Sequence, residues 1–591
     1  YDFVKDCESD VMFKRLHQKL SSLEKKYKDI SIIALDYMTS QELERQEIIH
    51  ICLSEVTEQF LDDETWNNTY QFMREMESTI AGIDSIMKYR GLKLWNLNVA
   101  EVWRFYLVPI IKTIDEAFRV LKKEKIEQVV IFNNSSMHQK VFALVAKSMG
   151  LKVIGKINEN KDRGVKLFTG RHADKILKGL KNRTPKPTES KDPKTLFFYD
   201  HCETDKVLPW ARELQNCDRV CVGLDPRKEV SDEFKKAGIR YERFQDYADK
   251  EIIRKIEGLQ KKLEGILDKL EKNENFKTKF EYKGVRLWPV CSKLFSFLFY
   301  ERFIETLIRI EVFNKILDTE KPEIVCGVDD WSRYPNTLLA IAKQKNLKTF
   351  VMRYGLLDQR PKGVPVNADR MAVYGQSSVE TLVRSGVSRT RLFAVGQPEG
   401  KENKELSMEK VNNVLTALGL DRTRPIIVFG GTCVPESASY HPYDIFYNTI
   451  KKYRNLQVVS KPHPAESERL YKTLLKKHGV SNNILTKKHL LELLAGCTAL
   501  VTTKSTVALE AMAYGKPVIY INTMNAPLSS FPKRKEGMVE IVKTGQELSE
   551  ALDRILRTGK TEEAKELAKQ YVKQKGKPAA VEVAKIIENM L

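Results

Sequence analysis

Lys461-Pro462-His463-Pro464 and Thr502-Thr503-Lys504-Ser505-Thr506-Val507-Ala508-Leu509-Glu510-Ala511-Met512 are the segments from which this chain is read. Each sits where an apolar run ends. Leu456-Gln457-Val458-Val459 predicts a short buried strand, which Lys-Pro-His-Pro stops. Ala499-Leu500-Val501 predicts a second strand, Thr502 to Thr506 a turn, and Val507 to Met512 the opening of a helix. In an open parallel sheet, ligands bind at the carboxyl ends of strands. Ser505 and Thr506 at a helix start offer hydroxyls and backbone N–H groups to an anion, and Lys461 and His463 add donors from the neighbouring strand end. The expectation is a phosphate-binding mouth built from adjacent strands. Taken singly, Ser505 and Thr506 read as an N-cap, Glu510 as a first-turn carboxylate and His463 as a loop histidine. The two halves in this order, followed by Gly515-Lys516-Pro517-Val518-Ile519-Tyr520-Ile521, favour the mouth.

The whole run resembles the C-terminal domain of GT-B fold glycosyltransferases. More narrowly, it is similar to surface-polysaccharide enzymes: CDP-glycerol glycerophosphotransferases and the sialyltransferases with HP and Ser-Ser/Thr motifs. The resemblance implies an α/β chain of GT-B type, with two Rossmann-like domains facing a cleft. It implies that His463, Pro464, Ser505 and Thr506 hold the phosphates of a donor nucleotide, with Glu510 near its ribose. It is good over residues 320–560, looser over 195–320 and indirect before that.

Composition bounds the rest. A chain of 591 residues, 42% hydrophobic and 30% charged, is a globular protein of two to four domains. Nine scattered cysteines without a CxxC pair point to a reducing compartment. No apolar run reaches membrane-spanning length and no signal peptide is recognised. A start at Tyr1 rather than Met is what a trimmed tag or anchor would leave. The net charge of +20 is spread among acids, without a zinc-finger, RNP or Arg-rich signature. That argues against nucleic acid and for a phosphorylated donor, with an anionic membrane surface as a further partner. The expected location is the cytoplasm, peripheral on the inner face of the cell membrane.

The domain reading has four parts: an additional α/β domain over 1–180, a linker over 181–194, a Rossmann-like acceptor domain over 195–400 and a nucleotide-donor domain over 401–591. The acceptor domain carries a helical insertion over about 247–318, and the segment from Thr561 to Leu591 is expected to return across it. Residues 1–180 read as a partial duplicate of the acceptor domain. Tyr89-Arg90-Gly91-Leu92-Lys93-Leu94-Trp95 matches Tyr282-Lys283-Gly284-Val285-Arg286-Leu287-Trp288, 193 positions on. Ala146-Lys147 and Leu151-Lys152 match Ala342-Lys343 and Leu347-Lys348 at 196. Asn133-Asn134 then aligns with Asp329-Asp330, and an amide cannot act as a general base where a carboxylate can.

Pro425-Ile426-Ile427-Val428-Phe429 opens the donor domain, and Gly430-Gly431-Thr432 at its end lets backbone approach a bound group. Gly431, His463, Ser505 and Thr506 would stabilise the departing phosphate with no metal and no cofactor. Asp329-Asp330-Trp331-Ser332 is similar to the acidic motif of HP-motif sialyltransferases, with Trp331 where a glycine is expected. Asp329 or Asp330 is therefore one candidate base, or else a cap of the next helix, and His201 is the other. Displacement with one base predicts inversion at the sugar carbon. The reading is a glycosyltransferase moving a sugar or polyol phosphate from a CMP/CDP- or UDP-linked donor to a cell-surface glycan or lipid-linked acceptor. The alternatives are an enzyme like UDP-N-acetylglucosamine 2-epimerase, whose SGGxQEE stretch is absent, and a non-catalytic binding scaffold.

Overall fold

The structure, a computed structural model, describes residues 31–34, 51–52, 68–72, 74–76, 87–98, 102–131, 137–154, 194–199, 204–214, 217–225, 227–355, 366–398, 406–432, 441–463, 466–503, 505–523, 531–558 and 561–591, with Lys25 and Leu43 besides. In chain order, a parallel pair comes first, β1 (Ile33–Ala34) with β2 (Ile51–Cys52). A tight hairpin follows, β3 (Lys88–Tyr89) and β4 (Leu92–Lys93). Its turn holds Arg90 at φ 46° and Gly91 at φ 77°, the left-handed pair that a two-residue hairpin loop demands. A π-helical turn, Val102–Leu107, leads into α1 (Val108–Lys123). Then β5 (Gln128–Val130), α2 (Met137–Ser148) and β6 (Lys152–Ile154) form a parallel βαβ unit.

The next sheet opens with β7 (Thr195–Tyr199), α3 (Leu208–Glu213), β8 (Arg219–Gly223), α4 (Lys228–Lys236) and β9 (Arg240–Arg243). A mainly helical layer intervenes: α5 (Lys250–Lys272), a second hairpin β10 (Glu281–Tyr282) and β11 (Val285–Arg286), α6 (Trp288–Phe297), a π-helical turn Leu298–Arg302, and α7 (Phe303–Glu320). The start of α5 is fixed by Asp249, whose carboxylate accepts the Ile252 N–H at 2.9 Å. Ile252, Ile256, Leu263, Ile266 and Leu270 recur at helical spacing and are buried. In the aromatic run, Phe295, Leu298 and Phe299 are core, while Phe297 is half-buried. The sheet then completes with β12 (Ile324–Gly327), α8 (Arg333–Gln344), β13 (Lys348–Met352), β14 (Arg370–Val373), α9 (Gln376–Arg384) and β15 (Leu392–Ala394). All seven strands are parallel, in the order β15-β14-β13-β12-β7-β8-β9. Strands covered on both faces must be apolar throughout, and Leu196 to Phe198 and Val220 to Val222 are wholly buried.

The last sheet is built from β16 (Ile426–Gly430), β17 (Gln457–Lys461), β18 (Asn483–Leu485), β19 (Ala499–Thr502), β20 (Val518–Ile521) and β21 (Val539–Val542). It too is parallel, in the order β18-β17-β16-β19-β20-β21. The sequence reading ended the strand before Lys461. The structure runs β17 through Lys461, whose carbonyl accepts the Gly431 N–H at 2.9 Å. Numbered by their own chain order, the strands of both sheets run 3-2-1-4-5-6, with one more strand beyond in the first. The architecture is α/β with two Rossmann-like sheets, as expected.

The C-terminal segment joins them. The final helix, Lys577–Glu588, packs on α3, with Val583, Ala584 and Ile587 in one buried cluster with Trp210 and Leu214. The chain reaches that face along 571–576, where Lys573 N–H donates to Tyr374 O (2.9 Å) and Gln397 N–H to Gln574 O (2.7 Å). Gly375 and Gly396 permit this approach: a Cβ on either would lie 2.2 Å from a carbonyl oxygen of Tyr571 or Gln574.

Candidate functional site

In a 3-2-1-4 sheet the chain departs in opposite directions from strands 1 and 4, and a crevice opens at their carboxyl ends. In the second sheet those strands are β16 and β19, with Gly430 paired to Thr502 on one side and to Lys461 on the other. The sheet therefore brings together Gly430-Gly431-Thr432, Lys461 with His463, and Thr502-Thr503 leading to Ser505-Thr506. The Thr502 hydroxyl donates to Gly430 O at 2.7 Å, and the Thr432 and Thr503 hydroxyl oxygens lie 2.6 Å apart. The helix α10 that starts at Val507 here has seven residues (Val507–Ala513), so its dipole is short; the hydroxyls and lysines carry the site's polarity. Thr506 precedes it as the exposed N-cap, and Val507 N–H reaches the Ser505 hydroxyl at 3.4 Å.

Behind the mouth lies a network the sequence reading passed over. Buried Glu466 accepts from the Tyr443 hydroxyl (2.6 Å), the Tyr471 hydroxyl (2.7 Å) and the His463 backbone N–H (2.8 Å). Burial, reinforced by the nearby Glu466 charge, pushes the Tyr443 phenol far up, so it stays a donor. Tyr443 in turn accepts the Thr432 N–H at 3.2 Å. One carboxylate thus fixes the His463 loop and, through Tyr443, the Thr432 turn. The signal was present three residues beyond His463, but its two tyrosines come from separate helices.

Cationic groups converge here. Lys461 is 8% exposed; burial pushes its ammonium pKa down, the Lys487 charge pushes it further, and Glu510 opposes both. Lys487 donates to Glu466 O at 2.6 Å. Glu510 is half-buried, and burial pushes its carboxyl pKa up against the charges of Lys575, Lys206 and Lys461. Lys206 follows β7, so Glu510 faces the first sheet across the cleft. Its raised pKa has a testable sign. Folding is favoured by this group below its unfolded value of about 4.3, and that contribution is lost as pH rises through the higher folded value. Glu510→Gln is therefore expected to raise the melting temperature by ~1–2 °C at neutral pH, a gain that vanishes near pH 4. Melting curves across that range check it, and a loss of stability at neutral pH would mean the lysines outweigh burial.

In the first sheet the equivalent crevice lies between β7 and β12. Asp329 and Asp330 follow β12, but the Asp329 carboxylate is committed to its own turn. It accepts from Trp331 N–H (2.7 Å), Ser332 N–H (2.6 Å) and the Ser332 hydroxyl (2.7 Å), and Arg353 stands at 4.0 Å. These bonds close the turn ahead of α8, whose own N-cap is Ser332 with no side-chain cap bond. Asp330 is 2% exposed. His201 and Pro464 lie outside the described residues. Among the described residues no group of three or more His, Cys, Asp or Glu side chains is placed to hold a metal. No described helix is long and apolar enough to cross a membrane.

No family model and no curated protein matches the chain. Among solved structures it is similar to the UDP-GlcNAc 2-epimerase of Neisseria meningitidis at 13% identity, covering 67% of this chain and 98% of that one, with a TM-score of 0.42. It is similar to a glycosyltransferase from Rickettsia africae at 10% identity, covering 67% and 97%, with a TM-score of 0.43. It is also similar to the UDP-GlcNAc 2-epimerase of Methanocaldococcus jannaschii at 12% identity, covering 67% and 99%, with a TM-score of 0.41. The fold assignment rests on the strand orders and registers above.

Proposed function

We infer that the chain is a glycosyltransferase. It would take a sugar or polyol phosphate from a CMP/CDP- or UDP-linked donor and pass it to a cell-surface glycan or lipid-linked acceptor at the inner face of the membrane. The observation that carries this reading is the convergence of Lys461, Lys487, His463, Ser505 and the Gly430–Thr432 turn at one strand switch, with Glu510 beside them. These groups would bind the donor's phosphates and stabilise the charge that develops as the nucleotide leaves, and Glu510 would accept from the ribose hydroxyls. With the Asp329 carboxylate held by its turn, Asp330 or His201 would take the proton of the acceptor hydroxyl. A single displacement would invert the sugar carbon.

The test is a thermal-shift panel of CMP, CDP, UDP, GDP and their sugar or glycerol conjugates on the native chain and on His463→Ala. A ligand at a hundred times its Kd stabilises the fold by about 2.7 kcal/mol. A shift with a cytidine or uridine nucleotide that His463→Ala reduces is the expected result, and it also separates the donor classes. No shift with any nucleotide would overturn the reading.

A further inference from the structure

Two parts of the chain match in the order and the spacing of their elements. The hairpins β3–β4 and β10–β11 both turn through left-handed pairs, Arg90-Gly91 (φ 46° and 77°) and Lys283-Gly284 (φ 50° and 76°). From the π-helical turns onward, a constant offset of 196 relates Val102 to Leu298, β5 to β12, α2 to α8 and β6 to β13 at their first residues. Lys125 and Lys321, left-handed at φ 50° and 46°, also match. Contacts between the two parts are reciprocal. Arg90 of the first hairpin reaches Glu311 on α7 (2.6 and 3.0 Å), and Tyr89 joins it there. Lys283 of the second hairpin reaches Asp115 on α1 (2.8 Å), with Tyr282 at 3.5 Å. Asp115 and Glu311 are matched positions. A contact of i with j repeated as j with i is what a twofold axis produces.

Such a pair separates what the fold needs from what it does not. The interface keeps the same chemistry in both halves. Beside β12 they differ. Glu305, 3% exposed, accepts from one Arg302 guanidinium nitrogen on both carboxylate oxygens (3.0 and 2.9 Å) and from Arg333 on one (2.8 Å), with Arg309 at 3.9 Å. The matched residues in the first half are Pro109, Tyr106, Met137 and Thr113, and Asn133-Asn134 replaces Asp329-Asp330. The α1–α2 pair packs without this network, so packing does not require it. Burying charges costs free energy that a well-packed apolar substitute would spare. Arg333 opens α8 directly after Ser332, so its bond to Glu305 ties the end of the Asp329–Ser332 turn to the start of α7.

We propose that residues 88–154 are a scaffold copy of 281–350, paired with it about an internal twofold axis, and that Arg333 and Glu305 are positioning residues which the second copy alone keeps to aim the Asp329–Asp330 turn. The aim of that turn matters because of the transferase reading above. The test uses the full chain. Arg333→Met installs the first copy's residue and leaves Glu305 with Arg302 and Arg309. It is expected to slow nucleotide release from the donor identified by the panel by roughly ten-fold or more in kcat, with donor KM and melting temperature unchanged and Arg333→Lys partly restoring the rate. Glu311→Gln and Asp115→Asn are each expected to lower the melting temperature by about 2–4 °C within a single transition while kcat holds. Unchanged release in Arg333→Met, or a melting temperature that falls as it does in Glu311→Gln, overturns the positioning role. Separate melting of two units overturns the pairing. A wild-type chain that binds no nucleotide overturns the transferase reading instead, and is seen before any variant is made.

Discussion

Gly431→Ala is expected to abolish the nucleotide-induced thermal shift and to lower the melting temperature of the unliganded chain. A Cβ on Gly431 would stand 2.0 Å from the Tyr471 hydroxyl and 2.1 Å from a Glu466 carboxylate oxygen. Neither can retreat freely. The Glu466 carboxylate is held by two phenols and the His463 N–H, and both tyrosines are fully buried. One methyl group must therefore break a buried hydrogen bond or displace the strand end, at a cost of about 2–4 kcal/mol. Because the network also sets the His463 loop, the damage reaches the mouth directly. Gly430→Ala is the control. Its Cβ would meet side-chain carbons of Leu500 and Val507 at 3.3 Å, which are able to give, so it should cost about 1 kcal/mol or less. Melting curves with and without nucleotide compare the two. Equal behaviour would show that the network tolerates intrusion and does not hold the site.

Much of the fold was legible because central parallel strands are apolar on both faces. Val428-Phe429, Val458-Val459 and Leu500-Val501 announce themselves in the sequence, and each is buried. What the reading passed over are edge strands. β9 (Arg240–Arg243), β18 (Asn483–Leu485) and β21 (Val539–Val542) close the ends of the two sheets and carry charged or polar residues, which is how edges avoid mispairing. In β21 the polar residue is Glu540, which is buried and paired with Arg554 at 3.0 Å, so the alternation that would mark the strand is satisfied by a helix further on. The site divides likewise. Lys461, His463 and Ser505 were visible because each sits where an apolar run stops. Glu466 was not, because its work is done with Tyr443 and Tyr471, and only the closed sheet brings their helices together. The Asp329 turn was legible as base or cap, and its three accepted hydrogen bonds close the turn itself, ahead of a helix whose N-cap is Ser332.

Lys461→Met is expected to stabilise the empty chain and to weaken nucleotide binding by roughly a hundred-fold. The two effects share one cause. The ammonium of a lysine that is 8% exposed as a residue, close enough to Lys487 to feel its charge, is unfavourable in the absence of an anion, and its lowered pKa records that. A methionine of similar length fills the volume without the charge, so the apo melting temperature should rise by ~1–2 °C. With a diphosphate in the mouth the same ammonium gains a charge-assisted bond in a poorly hydrated place, worth about 2–3 kcal/mol, or a factor near a hundred. The pH dependence follows with a definite sign. A lysine whose folded pKa is depressed binds its proton less tightly than in the unfolded chain, so stability rises with pH between the depressed value and about 10.4. Nucleotide affinity falls over the alkaline range as the bound-competent ammonium is lost. Titration calorimetry on the native chain and the variant, at neutral pH and at about pH 9.5, separates these contributions. If the variant binds as tightly as the native chain at both, Lys461 does not touch the phosphates. If it binds weakly and is also less stable when empty, the ammonium is already satisfied within the protein and is not held in readiness for an anion.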